Sequence, residues 1–130
     1  MNDKKVVAVV YKGEDILIGK KKDISNHFLS GKWHIPGETI KPPETDEQAL
    51  IRGIKEEANI LIRVEDYIGS SRTPTKKIAN WYECYYISGN LKAGSDLDEV
   101  KWVPKRQALT HCDKEAVSLW PKRLIDYFNY

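Results

Sequence analysis

The chain has 130 residues, 41% of them hydrophobic and 31% charged, with a formal net charge of +2. That length supports one core and a single domain over 1–130. A charge so near neutral excludes the strong field that drives binding to a nucleic acid polymer or a membrane surface, and no run approaches the ~18 apolar residues of a bilayer span.

The opening MNDKKVVAVVYKGED has too short an apolar stretch for a signal peptide and reads as a strand from Lys5 to Tyr11, closed by a turn at Lys12–Asp15. Ile16–Ile18 is a second apolar run, so residues 4–20 form a hairpin. The lysine runs Lys4-Lys5, Lys20-Lys21-Lys22 and Lys76-Lys77 read as solvated surface. Residues 21–32 are polar and flexible in character, and Trp33–Ile35 is a short strand ending at Pro36-Gly37.

Pro42-Pro43 forbids helix until about Glu44. A helix then begins after Thr45, whose spacing to Gln48 makes a capping box. Asp46 and Glu47 complement the positive end of its dipole. Leu50, Ile51, Ile54 and Ala58 share one arc and form the buried face, and Asn59 tolerates the left-handed turn that stops the helix. Strands follow at Ile60–Tyr67, Ile78–Ile87 and Val100–Val103, and a terminal helix covers Lys114–Phe128 with Pro121 limiting or kinking it. The order β-β-β-α-β-β-β-α predicts an α/β or α+β sandwich.

Cys84 and Cys112 show neither CxxC nor zinc spacing, and the histidines His27, His34 and His111 are scattered. Reduced, buried thiols in a cytoplasmic protein are the expectation. The acids are more informative. On a helical wheel with Leu50 at zero, Glu57 lies at about 340°, Gly53 at about 300° and Glu56 at about 240°. The two glutamates flank one stripe beside the buried face, and carboxylates so gathered are hard ligands for Mg²⁺ or Mn²⁺. Arg52, four residues before Glu56, can fix that carboxylate's rotamer, and Glu44 precedes the helix where the chain folds back over the stripe.

Trp33, Pro36, Gly37, Glu44, Arg52, Ile54, Glu56, Glu57 and Ile60 together resemble the signature of the Nudix hydrolase family. That signature is a glycine, five residues, a glutamate, seven residues, then Arg-Glu-aliphatic-x-Glu-Glu-x-Gly-aliphatic. The segments VVAVVYKGEDILIGKKK and DEVKWVPKRQAL are similar to the opening hairpin and the late strand of MutT-type members. The resemblance implies an α/β/α sandwich around a mixed sheet. It also implies Mg²⁺- or Mn²⁺-dependent hydrolysis of a nucleoside diphosphate linked to another moiety. Carried over by position, Glu56, Glu57 and the carbonyl of Gly37 are metal ligands, Arg52 orients a glutamate, and Glu44 supports the loop-to-helix junction.

Three positions depart from the pattern: Glu38 and Asn59 stand where the signature has glycines, and Gly53 stands where it has the Arg-Glu glutamate. In MutT-like members that glutamate is a metal-site carboxylate proposed as base for the attacking water. Replacement acids are available in GSDLDEVKW (Asp96, Asp98, Glu99), where the family contributes an additional acidic ligand, and at Glu38 itself. Lys20 and Lys21 follow the second strand, where MutT-type proteins often carry arginines near substrate phosphates; phosphate contact and plain surface charge are both open. The expected partner is a small nucleotide, a (d)NTP ahead of ADP-ribose, taken by a monomer or homodimer. The competing reading is a Nudix-fold module that binds a nucleotide with little or no catalysis, because Gly53 has no carboxylate.

Overall fold

The computed structural model describes residues 4–23 and 29–128. His27 and the centre of the polar 21–32 segment lie outside the described residues. Strands β1 (Lys4–Lys12) and β2 (Asp15–Lys21) form the hairpin read from the sequence, turned at Gly13 with φ 62°. The two strands pair only near the turn, at Tyr11 with Ile16 and Lys12 with Asp15. Beyond that they part. β1 pairs with β4 (Gly37–Thr39), an element absent from the sequence reading, while β2 pairs with β3 (Trp33–His34) and with β7 (Leu97–Pro104).

On its other edge β1 runs parallel to β6 (Ile78–Ser88), which is antiparallel to β5 (Leu61–Arg72). The sheet is therefore mixed. Both β5 and β7 are longer than their apolar runs suggested, because ladder hydrogen bonds continue through polar residues where one face is open to water.

The period of two in β1 sorts its residues between two layers. Val6, Ala8 and Val10 pack with Leu50, Ile54 and Ala58 of helix α1 (Asp46–Ala58). Val7, Val9 and Tyr11 pack on the opposite face with Trp120, Leu124 and Phe128. The architecture is the expected α/β/α sandwich.

The expected terminal helix over Lys114–Phe128 is instead divided. The chain forms α2 (Lys105–His111), α3 (Lys114–Val117) and α4 (Lys122–Phe128). Pro121 lacks the N–H that a continuous helix would use and opens α4, its carbonyl accepting from Leu124 and Ile125.

Both ends of α1 are set by local chemistry that the sequence showed. Thr45 accepts from the Gln48 N–H while the Gln48 side chain accepts from the Thr45 N–H. Asn59 ends the helix in the left-handed region, φ 62°, and its amide donates to the Asn90 carbonyl at 2.9 Å. A β-branched residue is strained in that region by about 1–2 kcal/mol. Asn59→Val is expected to lower the melting temperature by roughly 4–8 °C. Asn59→Gly, which keeps the turn and loses only the amide contact, is expected to stay within about 1 kcal/mol of wild type in urea unfolding.

Candidate active site

Helix α1 presents Glu57 to a cavity of about 250 Å³. Its lining includes the polar Glu57, Glu38, Asp96, Lys5 and Lys21 and the apolar Ile35, Trp81 and Trp120. The described part of the lysine run thus divides. Strand alternation turns Lys21 into the cavity, where it pairs with Asp96, and turns Lys20 outward, 4.0 Å from Glu99. Glu99 is well exposed and does not line the cavity. Lys5, read from sequence as surface charge, lines it and donates to the Thr39 hydroxyl at 3.3 Å. Its burial lowers its pKa, assisted by Lys77 and Lys21.

Arg52 organises the junction between loop and helix. Its Nε donates to Glu44 Oε2 at 2.6 Å and its Nη2 to Glu44 Oε1 at 3.0 Å, a bidentate clamp. Nη2 also donates to the Thr39 carbonyl at 3.1 Å, and Nη1 to Glu56 Oε1 at 3.0 Å. The Arg52 bonds and the Lys41 N–H hold the Glu44 carboxyl down at about 2. Glu56 is therefore held by Arg52, about half exposed and outside the cavity lining, while Glu57 points in.

Glu57 is 5% exposed, and its Oε1 has no hydrogen-bond partner. Burial raises its pKa to about 10, and a hydrogen bond and charge repulsion from Asp96 add to the shift. Burial also pushes Asp96 up, but the hydrogen bond from Glu57 and the Lys21 ammonium outweigh it and leave Asp96 at about 2. The two opposite shifts favour a proton on Glu57 over one on Asp96.

The loop after β6 brings these two acids together. Lys92 N–H donates to the Ala58 carbonyl and Gly94 N–H to the Glu57 carbonyl, both at 3.0 Å, so the loop wraps the C-terminal end of α1. A Cβ at Gly94 would lie 2.5 Å from the Glu56 carbonyl oxygen, so only glycine permits this approach.

The residues present fit a divalent cation. A buried carboxyl oxygen without a partner, beside a second carboxylate, is a desolvated oxygen donor open to a cation, and oxygen donors are the hard ligands such an ion takes. The backbone adds one more. Bonds from Ala8 N to Pro36 O and from Ile40 N to Lys4 O fix the β1–β4 ladder so that Gly37 falls in a non-hydrogen-bonded pair. Its carbonyl faces away from β1, on the side where the Thr39 carbonyl accepts Arg52. Among the described residues no group of three or more histidine, cysteine, aspartate or glutamate side chains is already gathered to hold a metal ion, so the metal-free arrangement is not a finished site.

The NUDIX domain profile matches residues 1–128, and the chain belongs to the Nudix family. Members of that family generally use divalent metal ions. The chain is 30% identical over 102 residues to an ADP-ribose pyrophosphatase of Methanocaldococcus jannaschii, covering 75% of this chain and 59% of that protein. It is 31% identical over 119 residues to a CTP pyrophosphohydrolase of Escherichia coli, covering 89% of this chain and 79% of that protein. It spans only 34% of the NAD-capped RNA hydrolase NudC of Pseudomonas aeruginosa, at 22% identity and 75% of this chain. Among solved structures, a MutT protein from Methanosarcina mazei superposes with a TM-score of 0.72 at 22% identity, covering 96% of this chain and 88% of that one. That likeness establishes the fold.

In the metal-free protein the folded state holds the Glu57 proton to a higher pH than the unfolded chain, whose glutamate ionises near 4.5. The native contribution is complete below that value and is lost as pH rises toward about 10. The melting temperature without metal is expected to fall between pH 5 and pH 9, by roughly 1.4 kcal/mol of stability per unit at most. Glu57→Gln, which cannot ionise, is expected to flatten that slope in a calorimetric pH series.

Proposed function

We propose that this protein hydrolyses the phosphoanhydride bond of a nucleoside diphosphate linked to another group, with Mg²⁺ or Mn²⁺ bound at the Glu57 end of the cavity. The observation that carries this reading is the buried, partnerless Glu57 oxygen facing a cavity that also holds Asp96 and two lysines. Glu57 and Asp96, with the Gly37 carbonyl, hold the metal. Bound there, the ion supplies charge neutralisation for the pyrophosphate and acidifies a water molecule. Lys21 keeps Asp96 ionised and in place, and Lys5 adds positive charge beside the phosphates. Arg52 fixes Glu44 and Glu56, which keeps the Gly37–Thr39 strand docked against α1. Glu56 contributes from the rim rather than from within the cavity.

The apolar part of the cavity lining suits the organic part of the substrate. Ile35, Trp81 and Trp120 offer an apolar, aromatic surface for a base. A (d)NTP is placed ahead of ADP-ribose, because the similarity to the CTP pyrophosphohydrolase extends over more of both chains than that to the ADP-ribose pyrophosphatase. The reaction adds water across a P–O–P bond, and one phosphate or nucleotide leaves as its own anion.

The absence of a carboxylate at Gly53 favours one competing reading, a nucleotide-binding module without turnover. A panel of NTPs, dNTPs and ADP-ribose with Mg²⁺ or Mn²⁺ separates the two. Turnover by the wild type, reduced about 10²–10⁴-fold in Glu57→Gln and Asp96→Asn, is the expected result. Nucleotide binding by calorimetry with no product from any member of the panel would establish the module instead.

A further inference from the structure

Gly53 lies mid-helix, is buried, and faces Glu38. A Cβ built at Gly53 would meet both Cβ and Cγ of Glu38 at 2.8 Å, and Glu38 Oε2 at 3.3 Å. Contacts below 3.0 Å are not found for real side chains, and here the obstruction is the stem of Glu38, fixed to strand β4, rather than a mobile tip. The two positions share one space, which only one side chain can fill. Glu38 fills it from the strand because the helix leaves it empty.

The carboxylate that results is held at the cavity. Glu38 Oε1 accepts from the Thr39 N–H at 2.9 Å, and Oε2 stands 3.5 Å from Arg52 Nη1. Glu38 lines the same cavity as Glu57 and Asp96. Its Oε2 is the looser of its two oxygens, at ion-pair distance and beyond a good hydrogen bond. Nearby, the 95% buried Glu57 leaves Oε1 without a partner.

From this geometry we infer that Glu38 is a carboxylate of the divalent-metal site, delivered from strand β4 into the space that Gly53 vacates on α1. The inference rests on the metal-dependent reading above. It assigns to the two departures from the family pattern one shared purpose: Gly53 is the clearance, and Glu38 is the group that needs it. The acid is carried by the strand that also presents the Gly37 carbonyl, so two oxygen donors come from adjacent residues of one short element.

Two measurements test it without relying on turnover. The first is Mn²⁺ binding, followed by electron paramagnetic resonance of the free ion. Glu38→Gln keeps the shape of the side chain and is expected to weaken Mn²⁺ binding at least tenfold, with the metal-free melting temperature little changed. The second is a thermal double-mutant cycle without metal. Gly53→Ala is expected to lower the melting temperature of the wild type and to have no such effect in the Glu38→Gly background, where the space is open.

The reciprocal variant Glu38→Gly with Gly53→Glu returns the acid to the helix and is expected to recover Mn²⁺ binding that Glu38→Gly alone loses. Unchanged Mn²⁺ affinity in Glu38→Gln, with binding abolished in Glu57→Gln, overturns the inference and leaves the proposed function standing. No Mn²⁺ binding by the wild type overturns both. Additive thermal effects of Gly53→Ala and Glu38→Gly overturn the shared-space argument.

Discussion

The fork of Arg52 is the interaction on which the site depends. One guanidinium reaches Glu44 in the loop, Glu56 on its own helix and the Thr39 carbonyl at the end of β4. Three separately encoded segments are thereby fixed to one rigid planar group, which a lysine's single ammonium could not do. The Pro42-Pro43 segment between β4 and α1 carries no ladder of its own, so its placement relies on this clamp and on the Lys41 N–H bond to Glu44 at 2.8 Å. Gly37 and Glu38 are positioned because Thr39 is held.

A second constraint works at the opposite end of the helix. The last turn of any helix leaves carbonyls without intrahelical donors, and here the loop after β6 supplies them at Glu57 and Ala58. Satisfying those carbonyls brings the chain to Asp96, against the side chain of Glu57. Capping and site assembly are thus one event. Its cost is the approach of two carboxyl groups in a poorly solvated place, which the protein meets with a proton on Glu57 and the ammonium of Lys21 on Asp96.

The features legible in the sequence were those governed by neighbours in the chain. The capping box at Thr45 and Gln48, the stop at Asn59 and the turn that joins the first two strands at Lys12–Asp15 all rest on contacts within a few residues, and each stands in the structure, although the two strands of the 4–20 hairpin part beyond the turn. The arc of Leu50, Ile51, Ile54 and Ala58 was legible for the same reason, since helical period sets it, with Ile51 at its partly buried edge. What could not be read was set by distant contact. The helical wheel sets Glu57 beside the buried arc and Glu56 toward Arg52, but the meeting of Glu57 with Asp96 depends on a loop some forty positions away that no helical period reveals. Lys5 and Lys20 look alike in their lysine runs and part only when strand pairing gives each a face. The β4 strand was missed because three residues containing a glycine carry no periodic signal.

Glu38 and Gly53 show most clearly why single positions mislead. Taken alone, a glycine inside a helix reads as a defect and a glutamate in a tight loop reads as a surface acid. Packing density makes them one feature, because a close-packed interior has room for a single side chain at that contact. Acids at both positions collide, and glycines at both leave a void and remove a charge from the cavity. The two positions are therefore constrained to differ, whichever of them carries the acid. A departure from a sequence pattern at one contact position is best read together with its spatial partner, since exchange of side chains across the contact preserves both volume and charge while altering two letters of the signature.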